Sequence, residues 1–168
     1  GKLDCKNHGG RPQSMCVDRK GVAWVFYDSR ELFRVDTRSA HCEPTTYQHP
    51  TPTGQLGMSF TSTAPGSPDE KLFIMSPSMG LGTIDMPGLG VTKMPAKITM
   101  AELTGGGDGR LFLFESTGAT LSELSRTDYS EHPIHSFHTL GIVSAWAFAR
   151  FAGKFYLFTS PDAYTPSR

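Results

Sequence analysis

RLFLFESTGATLSELS (110–125) is a β-hairpin written in sequence. Leu111, Phe112, Leu113 and Phe114 form an unbroken apolar run, as in a strand buried on both faces. Ser116, Thr117 and Gly118 then supply turn chemistry, and LSELS (121–125) returns with alternating character. The same device recurs in VAWVFYDSRELFRVD (22–36) and KLFIMSPSMGLGTID (71–85), and its first half recurs in KFYLFTSP (154–161). With Phe26, Met75, Phe114 and Phe158 as equivalents, the spacings are 49, 39 and 44 residues. Short strands repeating at that period are the mark of a β-propeller blade, so the expected fold is all-β.

Working outward from the hairpins gives each blade four strands. The innermost strands are SMCVD (14–18), GMSFTS (57–62), MAELTG (100–105) and AWAFAR (145–150). The third strands align as LFRVD (32–36), LGTID (81–85) and LSELS (121–125), and EPTTY (43–47), GVTKM (90–94) and HSFHTL (135–140) are the weak outer strands. The chain thus reads as an arm at 1–13 and blades at 14–50, 57–95 and 100–140, with an incomplete blade at 145–168. The one helical candidate, 140–153, reads better as a loop feeding the last inner strand, because Trp146 and Phe148 alternate with alanines. Phe26, Phe73, Phe112, Phe114, Phe155 and Phe158 are expected to lie buried between sheets. Blades bury their faces only against one another, and closed rings hold about 4–8 of them. Three and a half four-stranded antiparallel blades are therefore expected to belong to a larger ring, completed by the rest of a precursor or by a second chain.

Composition narrows the function. Sixteen basic residues balance sixteen acidic ones, so no field draws nucleic acid. No apolar stretch approaches the roughly 20 residues of a membrane span. The opening GKLDCKNHGG lacks the apolar core of a signal peptide, which leaves an export signal to have been removed beforehand. Cys5, Cys16 and Cys42 are not spaced as a zinc site. They are either unrelated thiols or the source of one disulfide. The blade register favours Cys16–Cys42, and with a bridge comes an extracellular or periplasmic location.

The inner strand, the turn Asp108-Gly109-Arg110-Leu111-Phe112 and third strands ending in Val35-Asp36 or Ile84-Asp85 resemble the NHL/YVTN/Kelch-type propeller superfamily. Gly153-Lys154-Phe155-Tyr156 repeats the turn. AELTGGGDGRLFLF and SAWAFARFAGKFYLFTSPD are also similar to secreted bacterial propeller proteins. The resemblance spans about 14–161 and implies a fold; the WD, GH and double-glycine signatures of named subfamilies are missing.

Chemistry-bearing residues are few. His132, His135 and His138 are spaced at i, i+3 and i+6 and suit a transition metal if the segment turns tightly. In an extended strand they face opposite sides, which favours a polar outer strand. Glu102 shares an inner-strand slot with Ser14, Ser59 and Trp146, where a channel carboxylate is a candidate calcium ligand, though serine and tryptophan complete no such site. Asp36 and Asp85 fit turn stabilisation, and GGGDG (105–109) lacks the Lys-Ser/Thr of a phosphate loop. The aromatics at 146–151 suit either core packing or stacking on a sugar. The leading expectation is an exported non-enzymatic module that binds a protein or glycan partner, with no cofactor. The alternatives are a metal-dependent hydrolase or lactonase using the channel, and a structural subunit of an extracellular assembly.

Overall fold

The computed structural model describes residues 3–6, 10–50, 55–96, 98, 101–138, 140 and 145–160. Among them every regular element is a strand. The first sheet holds β1 (Pro12–Val17), β2 (Val22–Tyr27), β3 (Leu32–Asp36) and β4 (Cys42–Pro44). The second holds β5 (Gly57–Ser62), β6 (Glu70–Ser76), β7 (Gly80–Ile84) and β8 (Val91–Lys93). The third holds β9 (Glu102–Gly105), β10 (Leu111–Glu115), β11 (Thr120–Leu124) and β12 (Glu131–Ser136). The fourth is the pair β13 (Ala145–Phe151) and β14 (Lys154–Ser160). Each sheet is an antiparallel meander in chain order. β1 packs on β5, β5 on β9 and β9 on β13, so the first strands surround one axis. This is an all-β, partial β-propeller.

The apolar runs became second strands because both of their faces are covered. Leu72 and Ile74 of β6 join Trp24, Phe26, Met58 and Phe60 between the first two sheets. Phe73 and Met75 face the other way, with Leu103, Leu111 and Leu113. Between the third and fourth sheets, Phe112 meets Phe155 edge-on at 4.9 Å. Arg150 lies over Phe112 and pairs with Asp108 at 2.8 Å.

Two glycines set how closely the inner strands approach. A Cβ on Gly57 would strike the Ala101 carbonyl oxygen, and one on Gly105 would strike that of Phe60. β5 and β9 therefore meet backbone to backbone. The third-to-fourth turns also repeat: Ala40, Leu89 and Tyr129 take φ of 60°, 59° and 58° and donate to the carbonyls of Asp36, Asp85 and Ser125. The Asp36 carboxylate accepts the N–H groups of Arg38 and Ser39, which fits its reading as a turn residue.

Several expectations need correction. The disulfide joins Cys5 to Cys42, with Cα atoms 4.8 Å apart, and Cys16 is free. Cys16 packs towards the second sheet, whereas Cys42 sits on the opposite face. Three strand spacings separate β1 from β4, about 14 Å, beyond the reach of a bridge. The arm at 1–13 is correspondingly tied down. Asp4 accepts the Cys42 N–H at 2.8 Å, Arg11 and Asp28 exchange hydrogen bonds, and strand structure begins at Pro12. Cys5 packs against the first sheet's outer face, where Val25, Tyr27, Phe33 and Val35 are buried.

The third outer strand is Glu131–Ser136 rather than HSFHTL (135–140), because the tight turn closed by Ser125 and Ser130 starts it earlier. Phe158 is 51% exposed, since alternate residues of β14 face away from the third sheet. Met100, 141–144 of the helical candidate and 161–168 of the incomplete blade lie outside the described residues.

Candidate functional site

The four inner strands begin at the same end of the axis, and there they border a cleft of about 230 Å³. Gln13 of β1, Gly57 of β5, Glu102 of β9, and Ala145 and Trp146 of β13 all line it, with Gln55 at its rim. The position of Gln13 is set by its own side chain, whose Oε1 accepts the Leu56 N–H at 2.9 Å. Gly57 makes room for the acid: a Cβ there would lie 3.3 Å from Glu102 Oε2.

Alternation along β9 places Glu102 and Leu103 on opposite faces. Leu103 enters the core shared with the second sheet, and Glu102 turns to the cleft. Burial pushes the Glu102 carboxyl up to about 8, opposed by a hydrogen bond from the Leu103 N–H. The acid is therefore mostly protonated near neutrality, and a protonated carboxyl both donates and accepts. Trp146 also lines the cleft, and its Nε1–H is buried away from solvent with no acceptor among the described residues. An indole N–H only donates, so burial without a partner carries a desolvation cost. Nearby on β1, burial and the carboxylates of Asp18, Glu102 and Glu70 push the Cys16 thiol well up, which makes it inert.

The other expected site residues are scattered. Ser14 pairs with Phe26 in β2, while Ser59 is buried with its hydroxyl on the Phe60 carbonyl. In the observed register Met75 faces Gly57 and Phe114 faces Glu102, so Gly57 holds the slot expected of Ser59. His132 and His135 are exposed on β12, which carries an extra residue at Ile134. His132 lies 3.2 Å from the Ser130 hydroxyl, His135 packs on the Phe137 ring, and His138 is exposed beyond the strand. Among the described residues, no three His, Cys, Asp or Glu side chains stand together as metal ligands. Sequence reasoning passed over Gln13 and Gln55. Their signal was position alone: Gln13 is the second residue of β1 and Gln55 lies two residues ahead of β5.

No family model matches the chain, and no curated protein matches it. Solved structures do match. A catalytically inactive virginiamycin B lyase from Staphylococcus aureus with quinupristin aligns over 94% of this chain and 51% of its own, at 17% identity and a TM-score of 0.59. A streptogramin B lyase aligns over 95% and 51%, at 13% identity and a TM-score of 0.58. The extracellular domain of a one-component system from B. thetaiotaomicron aligns over 94% and 21%, at 11% identity and a TM-score of 0.54. The likeness is one of fold. Virginiamycin B lyase is a β-propeller, and at such identities the alignment carries architecture and no chemistry. The chain spans about half the length of these lyases.

Proposed function

We propose that this chain is an exported, non-enzymatic propeller module that binds a protein or glycan partner at the axial end of its inner strands. The observation that carries the reading is the axial cleft, where the Glu102 carboxyl, the side chains of Gln13 and Gln55, and Trp146 line one opening together with apolar residues. Concave sites with a few convergent polar groups among apolar walls are where proteins hold ligands. Export is supported by the Cys5–Cys42 bond, which suits an oxidising compartment, and by the likeness to an extracellular domain.

The module works within a larger ring. Phe151, Tyr156 and Phe158 stand exposed on the outer face of the fourth sheet, and among the described residues β14 pairs on one edge only. A further blade, from the same polypeptide or from a second chain, covers such a face in propellers.

Saturation-transfer NMR with a panel of neutral disaccharides and short peptides tests the binding reading. Transfer to at least one class is expected, and its loss in Trp146→Phe with unchanged thermal unfolding places the contact in the cleft. Transfer that survives Trp146→Phe and Glu102→Gln intact would move binding elsewhere and overturn the reading.

A further inference from the structure

The first and last sheets differ at their outward faces. On the first, Ala23, Val25 and Tyr27 of β2, Phe33 and Val35 of β3 and Cys42 of β4 form a cluster of their own, each at most 8% exposed. The second sheet packs on the opposite side, through Trp24 and Phe26. What packs against the outward cluster is Cys5 of the arm, bonded to Cys42. The fourth sheet shows a comparable face with no arm on it: Tyr156 and Phe158 of its second strand are 41% and 51% exposed.

We propose that the Cys5–Cys42 bond is a redox latch: it keeps the arm on the first sheet's outer face, and its reduction opens that face, whatever the axial cleft binds. The cover stops short of the axis. Met15 and Val17 lie opposite Val25 and Ala23 in the β1–β2 register, hence on the same face, yet both are exposed. Burial is confined to the strands beside the bond.

Little else holds Cys5 in place. Asp4 accepts the Cys42 N–H and lies 3.3 Å from His41 Nδ1, but both side chains are exposed, where water competes for such contacts. Residues 3–6 pair with no strand. With the bond cut, bringing Cys5 back to Cys42 means closing a loop of sequence separation 37 through weak contacts alone. The apolar face draws the arm back, so the reduced chain alternates between covered and open states.

The reductant is a dithiol. Its thiolate attacks Cys5 Sγ, because Cys42 is buried. The S–S bond breaks, and its electron pair leaves on Cys42 Sγ, which takes a proton. The second thiol of the reductant then displaces Cys5, which takes another proton, and the reductant departs as its own disulfide. Cys16, packed on the opposite face, stays out of the exchange. Propellers stack a neighbouring blade on such a face, so the state of the bond decides whether β2 and β3 can receive one.

Hydroxyl-radical footprinting reads side-chain exposure and tests the latch. The chain is compared oxidised, treated with millimolar dithiothreitol, and as the double variant Cys5→Ser, Cys42→Ser. Tyr27 and Phe33 should be protected when oxidised and react faster in both unlatched forms. Tyr156 sets the ceiling: a move from 5% to 41% exposure is a rise of about eightfold for Tyr27. Phe26 and Phe73, buried between sheets, should stay protected throughout, and Phe158 should react alike in all three. Reoxidation should restore protection. Tyr27 and Phe33 staying protected in either unlatched form would overturn the latch. So would a bond that survives dithiothreitol in the folded chain. Loss of protection that reaches Phe26 and Phe73 would overturn it too, because the bond would then hold the whole fold and not one face.

Discussion

Replacing Glu102 with glutamine should stabilise the protein at neutral pH, by an amount that the burial of its carboxyl sets. The group moves from an ordinary 4.5 to about 8 because burial disfavours the charged form. A tenfold change in proton affinity is worth about 1.4 kcal/mol. Below pH 4.5 the carboxyl is protonated in both states and costs nothing. Between 4.5 and 8 the folded state holds a proton that the unfolded chain releases, so stability falls as pH rises. At pH 7 the accumulated loss is about 3 kcal/mol, and it levels off near 5 kcal/mol above pH 8. Glutamine keeps the shape and hydrogen-bonding groups but carries no ionisable proton.

Asp18 and Glu70, the other carboxylates that act on Cys16, remain in the variant, as does Cys16. Glu115 is also raised, by burial and then by Glu131, and adds a smaller fall of the same sign. Wild type and variant share that background. Urea unfolding at intervals from pH 5 to pH 8 measures the difference. The wild-type curve should fall by up to about 1.4 kcal/mol per pH unit more than that of Glu102→Gln, with the variant ahead by about 3 kcal/mol at pH 7. Parallel profiles, or a variant less stable than wild type at pH 7, would refute a buried neutral acid.

A non-reducing peptide map should link Cys5 to Cys42 and leave Cys16 as the single free thiol. Replacing Cys5 and Cys42 together by serine should cost about 4 kcal/mol in chemical denaturation, the loop entropy of a bridge of sequence separation 37; an unchanged midpoint would mean that the arm adds no constraint. Gly105→Ala should lower stability by about 1–3 kcal/mol, because the methyl meets the Phe60 carbonyl. Thermal unfolding checks this, and a neutral result would deny the close approach of β5 and β9.

The second strands were legible without the structure. An apolar run such as LFLF, closed by Ser, Thr or Gly, offers few alternatives to a doubly buried strand, and the period of the runs gave the sheets their number and order. Local signals reach that far because strand and turn preferences act over a few neighbouring residues. The outer strand of the third sheet was misplaced because polar sequence around His132–His138 carries little period, and a turn closed by Ser125 and Ser130 decided where it starts.

Cysteine pairing lay beyond the sequence for another reason. All three thiols fit a bridge by spacing, and only the sheet shows that Cys16 and Cys42 leave it from opposite faces. Phe155 and Phe158 look alike in the chain, yet one packs on Phe112 and the other faces outward, because burial depends on which neighbouring sheet is present. The cleft is the furthest case. Positions 13, 55, 102 and 146 are separated by about a blade each, and nothing local relates them. Their meeting depends on stacking around a common axis, and the buried acid and unpaired indole exist as features only once that stacking excludes water. Strand and turn were determined by the sequence alone; the chemistry at the axis was decided by the tertiary structure, because burial and partnership are properties of contacts between distant segments.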